Sequence, residues 1–193
     1  IVAATALFKV DLLQSLSERA PGQIEPDAYA PELGFRATGL RGSNISGDYG
    51  ASFRVGEWYY LLLCDGMGSG EEARNEAMGT SALLKELIES GLEAHDAMQT
   101  INGLYILRDG GGFSAIDLLQ VSPVSAEGFL HKWGAAPSFL KFGRTLQTLG
   151  SPLPPPGLGV GRSYGPACIR VSLQRGEALI LTSDGVDTAM AER

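Results

Sequence analysis

The chain has 193 residues, enough for one domain with a real apolar core and too short for two. Its formal net charge of -7 and pI near 4.8, with no clustering of lysine or arginine, exclude a surface built on nucleic-acid phosphates and suit an acidic site for divalent cations. No run approaches the roughly 20 consecutive apolar residues of a membrane span and no signal peptide leads the chain, so no membrane contact is expected of this segment.

The sequence starts at Ile1 rather than Met, as a piece of a longer protein would, and an upstream membrane-attached region is compatible with it. Cys64 and Cys168 lie in apolar strand-like runs and read as buried free thiols, which points to a reducing, cytoplasmic setting.

In chain order, Leu7, Val10, Leu13 and Leu16 recur about three apart, so the spacing predicts an amphipathic helix over Ala6 to Arg19, ended by Pro21-Gly22. Gln23 to Pro31 is polar and proline-bearing and reads as a linker, giving a leading segment over 1–32 and a main domain over 33–193. Strand patterns follow at Phe35 to Gly39, Ala51 to Val55 and Trp58 to Cys64, with Gly56-Glu57 as a hairpin turn between the last two. The period then changes to helical over Glu71 to Ser90 and Ala94 to Leu107, and Gly91 supplies the first stop.

After the breaker Asp109-Gly110-Gly111-Gly112, strands are predicted at Ser114 to Val121, Gly128 to Trp133, Phe139 to Phe142, Ile169 to Leu173 and Ala178 to Thr182. The proline- and glycine-rich stretch Ser151 to Gly165 reads as a surface loop. Strands, then two adjacent helices, then more strands describe a layered α+β domain rather than a βαβ repeat.

Three carboxylates recur in one chemical setting. Asp48 follows Gly47, Asp65 ends the apolar strand before Gly66, and Asp184 ends another strand before Gly185. Strand ends terminating in aspartate place carboxylates along one rim of a sheet, and hard cations such as Mg²⁺ or Mn²⁺ take oxygen ligands of this kind. Each Asp-Gly pair alone is an ordinary turn signal; the recurrence in one small chain is what favours a metal site, with Asp65 as a bridging ligand and the Gly66 carbonyl turned toward the same ion.

Rival motifs fail on the same residues. An EF-hand from Asp65 to Glu76 has Met67 at a ligand position and a strand where a helix is required. A dinucleotide fingerprint at Gly66 and Gly68 has Glu71 where the third glycine belongs, and Asp65 would repel a pyrophosphate. Gly161-Arg162-Ser163-Tyr164-Gly165 matches a nucleophile elbow, yet His95 and His131 both lie upstream and no strand precedes it. With only these two histidines, a zinc cluster is disfavoured, and each reads as structural or solvent-facing.

Through Ser46-Gly47-Asp48, Cys64-Asp65-Gly66-Met67-Gly68-Ser69-Gly70-Glu71-Glu72-Ala73, Phe113 to Leu118, Gly134 to Phe139 and Thr182 to Val186, the chain resembles the protein phosphatase 2C family of metal-dependent serine/threonine phosphatases. Asp-Gly-Met-Gly-x-Gly is specific to its stage II sporulation protein E branch; stress-response phosphatases are close siblings. The resemblance runs from about Leu33 to the end. It implies a central β-sandwich of two antiparallel sheets flanked by α-helices, with a site for two Mn²⁺ or Mg²⁺ ions at one edge. By position it implies Asp65 as bridging ligand, Gly66 as carbonyl ligand, Asp184 as ligand of one ion, and Asp48 in the cluster directly or through water.

It further implies in-line attack on phosphorus by metal-activated hydroxide, with no protein nucleophile, on a phosphorylated anti-sigma-factor antagonist. Glu71 to Ser90 and Ala94 to Leu107 match paired helices through which relatives switch activity, and the leading or switch helices are expected to mediate a homodimer. The family pattern adds a metal-binding aspartate downstream of Ser183-Asp184-Gly185, whereas this sequence ends at Arg193, nine residues past Asp184, and Asp187 stands on the same turn. The expectation is a domain truncated at its C-terminus, or a weakly held second ion. The alternative is a catalytically impaired phosphatase-fold binding domain; a third reading, a nucleotide-binding enzyme using the glycine-rich turn, predicts nucleotide stabilisation without manganese.

Overall fold

A computed structural model describes residues 3–12, 29–39, 45–108, 112–150, 153–158 and 165–186. In chain order the elements are β1 (Ala3–Leu12), β2 (Tyr29–Thr38), β3 (Asp48–Val55), β4 (Trp58–Gly66), α1 (Gly70–Glu89) and α2 (Ala94–Leu107). There follow β5 (Ser114–Val121), β6 (Glu127–Trp133), β7 (Ser138–Phe142), β8 (Thr145–Leu149), β9 (Ala167–Ser172) and β10 (Ala178–Thr182). They form two five-stranded sheets, ordered β2-β1-β10-β7-β8 and β3-β4-β5-β6-β9, with antiparallel pairing between neighbours.

β4 shows why the sequence folds into layers. Successive side chains on a strand point to opposite faces, so Leu61 and Leu63 enter the core between the sheets with Leu119, Leu130, Leu179 and Leu181. Tyr60, Leu62 and Cys64 face the helices instead, against Ala77, Leu84, Met98 and Ile101. A strand buried on both faces reads as a continuous apolar run, and each fully buried leucine contributes roughly 1.5–3 kcal/mol. α1 ends at Gly91, whose φ of +100° is costly for any other residue, while the Leu92 amide donates back to the Leu87 carbonyl at 3.1 Å. The two described helices lie together on the outer face of the β3-to-β9 sheet. Neither is long and apolar enough to cross a membrane.

Several expectations are corrected. Residues 6–12 of the predicted leading helix belong to β1, paired with β2 and β10, and 13–19 fall outside the described residues. The sequence also alternates: Ala4, Ala6, Phe8, Val10 and Leu12 are apolar while Thr5, Lys9 and Asp11 are polar, and sheet pairing selects that period of two. The predicted linker gives up Tyr29–Pro31 to β2; 23–28 lie outside the described residues. β8 was not anticipated, because Thr145-Leu146-Gln147-Thr148-Leu149 is mostly exposed and patternless; its hairpin with β7 around Gly143 supplies the order. Cys168 is exposed rather than buried, and Cys64 alone of the two thiols lies in the core. Of the breaker and loops, 109–111, 151–152 and 159–164 fall outside the described residues, as does Asp187.

Candidate metal centre

The β3–β4 hairpin positions the acidic pair. Starting from Val55 opposite Trp58, the register runs back to place Asp48 directly opposite Asp65. β5 continues the sheet, with Ala115 opposite Asp65 and Ser114 opposite Gly66. Asp184 arrives from the other sheet, in the turn after β10, so the ends of both sheets contribute to one rim. A cleft of about 480 Å³ opens there, lined by Asp65, Gly66, Gly68, Gly134 and Asp184 among others.

The backbone around Asp65 leaves no room for larger residues. A Cβ on Gly66 would lie 1.9 Å from the Ala73 carbonyl oxygen, and one on Gly47 would lie 2.9 Å from the Ala73 Cβ. The α1 start is therefore packed onto the two hairpin ends that carry the carboxylates. Arg74 of α1 reinforces this contact, donating from Nη1 to the Asp48 carbonyl at 3.0 Å with its guanidinium 5.6 Å from the Tyr49 ring centroid.

Electrostatics mark the site as short of positive charge. Asp48 is fully buried; Ser46 Oγ donates to its Oδ2 at 2.6 Å, while Oδ1 finds no hydrogen-bond partner among the described residues. Burial raises the Asp48 pKa and the Asp184 charge adds to this, against the opposing effect of the Ser46, Asp65 and Ser183 side chains. Asp65 is pushed up to about 7, first by burial, then by the charges of Asp48 and Asp184, with a backbone hydrogen bond from Asp184 acting the other way. Crowded carboxylates with an orphaned buried oxygen suit a cation, which would satisfy that oxygen and relieve the repulsion. Among the described residues, no group of three or more His, Cys, Asp or Glu side chains is close enough to hold a metal ion; Asp65 and Asp184 line the cleft and Asp48 is fully buried.

Of the residues singled out from sequence, Asp48, Asp65 and Asp184 are thus electrostatically coupled, and Gly66 lines the cleft with Asp65 and Asp184. His95 is exposed at the start of α2, and His131 is buried in β6. Sequence reasoning missed Arg74, and also Asp117, Lys132 and Ser138, of which the last three form a buried polar network. Two lone charges of opposite sign, each inside a successive apolar strand, were the available signal for Asp117 and Lys132.

The profile of the family described as Stage II sporulation protein E (SpoIIE) matches residues 56–193. The Stage II sporulation protein E of Priestia megaterium is 31% identical over 162 residues, covering 82% of this chain and 27% of that protein. The chain thus spans about a quarter of the length of that relative. Among solved structures, the PP2C phosphatase domain with a regulatory fragment of SpoIIE from Bacillus subtilis superposes with a TM-score of 0.65 at 32% identity, covering 76% of this chain and 43% of that one. RsbX in complex with magnesium superposes with a TM-score of 0.61 at 14% identity, covering 77% of this chain and 71% of that one. A hairpin that sets two aspartates face to face, a third from the opposite sheet, and these matches together place the chain in the stage II sporulation protein E family, on the PP2C phosphatase fold.

Proposed function

We propose that this domain is a Mn²⁺- or Mg²⁺-dependent serine/threonine phosphoprotein phosphatase, with Asp48, Asp65, Asp184 and the Gly66 carbonyl as oxygen donors to the metal site. The observation that carries the reading is the cross-strand Asp48–Asp65 pair, of which Asp65 lines the cleft and Asp48 has a buried oxygen with no hydrogen-bond partner among the described residues. When bound, divalent cations supply water activation and charge neutralisation at phosphoryl oxygens. The chain's own residues hold the donors in place: Ser46 orients Asp48, the Asp184 amide orients Asp65, and Arg74 ties α1 to the Asp48 backbone.

The cleft walls support the same reading. Gly66, Gly68, Ala115, Gly134 and Ala136 present little side-chain bulk, beside the larger Met67, Phe113 and Pro155, which leaves a phosphoserine on a protein loop a path to the carboxylates. Cys64 is fully buried with its thiol pushed up by burial, and Ser46 is buried and engaged with Asp48, so neither serves as a nucleophile. The proposed substrate is a phosphorylated anti-sigma-factor antagonist, and the two free cysteines are consistent with work in the cytoplasm.

The test is manganese-dependent hydrolysis of p-nitrophenyl phosphate and of a phosphoserine protein. Asp65→Asn is expected to lower turnover by more than about a thousandfold with the circular dichroism spectrum unchanged; near-normal turnover refutes the assignment. The open arrangement of carboxylates favours a second reading, a phosphatase-fold binding domain with impaired catalysis. That reading predicts no manganese-dependent hydrolysis by the unsubstituted protein.

A further inference from the structure

Asp117 and Lys132 each interrupt an apolar strand, and the β5–β6 register places them opposite one another. Lys132 Nζ donates to Asp117 Oδ1 and, at 2.7 Å, to Ser138 Oγ; Ser138 Oγ donates in turn to Asp117 Oδ2 at 3.2 Å. Relative exposures are 0% for Asp117, 2% for Lys132 and 0% for Ser138. Gly150, with φ +99°, closes over the lysine stem, since a Cβ there would come within 2.7 Å of Lys132 Cδ and Cε. β5 and β6 belong to one sheet and β7 to the other, so the network is a polar link through the middle of the sandwich.

Such a link is not explained by stability. Desolvation of a buried ion pair offsets most of its attraction, and well-packed apolar residues of similar volume serve as well or better. Burial pushes Asp117 up to about 6 despite the lysine beside it, and lowers Lys132.

Position offers the better account. Ala115, Gly134 and Ala136 line the cleft, and each stands two residues along the chain from a member of the network: Asp117, Lys132 and Ser138 respectively. Ala115 and Asp117 lie two apart on β5 and so share a face, while Gly134 and Ala136 lie in the connection between β6 and β7, so the network adjoins the cleft wall along the chain. The segment 134–137 crosses from β6 to β7, between the sheets. The network grips both of its ends, and Thr182 Oγ1 donates to the Pro137 carbonyl at 2.6 Å, two residues before Asp184.

We propose that Asp117, Lys132 and Ser138 form a positioning network that holds the 134–137 wall of the cleft in register with Asp65 and Asp184. Its catalytic consequence rests on the phosphatase reading above; its structural consequence does not. The test uses the whole chain and three readouts: thermal stability, hydrogen exchange of the 134–136 amides, and kcat and KM for p-nitrophenyl phosphate with MnCl₂.

The charge-free pair Asp117→Leu with Lys132→Met removes the network without leaving a lone buried charge. It is expected to melt near the parent temperature, yet to exchange at 134–136 at least about tenfold faster. Its kcat is expected to fall roughly 30- to 100-fold, out of proportion to any change in KM. Ser138→Ala keeps the ion pair but cuts the link to β7, and is expected to show the same accelerated exchange with a smaller loss of kcat. It remains decisive if the double variant does not fold. Parent-like exchange in Ser138→Ala, or in a folded double variant, overturns the proposal. A kcat within about threefold of the parent with faster exchange would also overturn it, because the wall would then move without consequence. Absence of hydrolysis by the parent refutes the phosphatase reading alone, while exchange still decides the positioning role.

Discussion

His131 is 5% exposed, and neither of its ring nitrogens has a hydrogen-bond partner among the described residues. Burial first, and the nearby His95 charge second, lower its pKa to about 4. In the unfolded chain the imidazole takes up a proton near 6.5, but in the folded chain not until about 4. The unfolded state therefore binds more protons in that window, and stability falls as pH drops from about 6.5 toward 4, by roughly 3 kcal/mol at most. Replacing His131 with Phe, of similar volume and no titration, is expected to flatten this part of the profile. Urea denaturation at pH 7.5, 6 and 5 checks it; parent-like acid sensitivity would count against the assignment. The sequence reading gave His131 a structural or solvent-facing role, and only the packed β6 face separates those two. Asp65 and Asp184 stand out in the sequence because Asp-Gly at a strand end is a local pattern, and Asp48 because it follows Gly47 at the start of a strand. The unpartnered Asp48 oxygen was not, because it depends on what surrounds it after folding.

At the scale of elements, α1, α2 and β5 meet at Tyr105. Thr80 Oγ1 donates to the Glu76 carbonyl at 2.8 Å, so the Tyr105 hydroxyl donates to Thr80, and it accepts the Ser114 amide at 3.1 Å. Ser114 stands opposite Gly66, so this bond joins the helix pair to the strand end beside Asp65. Tyr105→Phe leaves a buried amide unsatisfied and is expected to cost about 1–3 kcal/mol. For a chain of this length that is a fall of roughly 2–4 °C per kcal/mol, read by thermal denaturation. An unchanged melting temperature would mean that water replaces the hydroxyl. Both helices were legible from period 3.6 alone, and Ala94–Leu107 agrees at both ends. The first strand was not: its apolar residues fit periods of two and of three to four, and pairing with β10, some 170 residues away, resolves the ambiguity.

For the whole molecule, the proposed cation ties the two sheets together at their rim, since Asp48 and Asp65 come from one and Asp184 follows the other. A ligand that binds only the folded state stabilises it by about 2.7 kcal/mol at a hundred times its Kd. Manganese at that level is expected to raise the melting temperature by roughly 5–10 °C, and EDTA to reverse the rise. No shift with manganese would remove the support for a metal site. The same two-sheet construction explains what a sequence reader could and could not see. The β3–β4 hairpin, the helix pair and the acidic strand ends are determined by contacts close in sequence, where periodicity and turn chemistry act directly. The Asp117–Lys132–Ser138 link, the membership of β1 in a sheet and the approach of Asp184 to Asp65 join residues distant in sequence. Their energies exist only once both sheets have closed on a common core, so tertiary packing alone decides them.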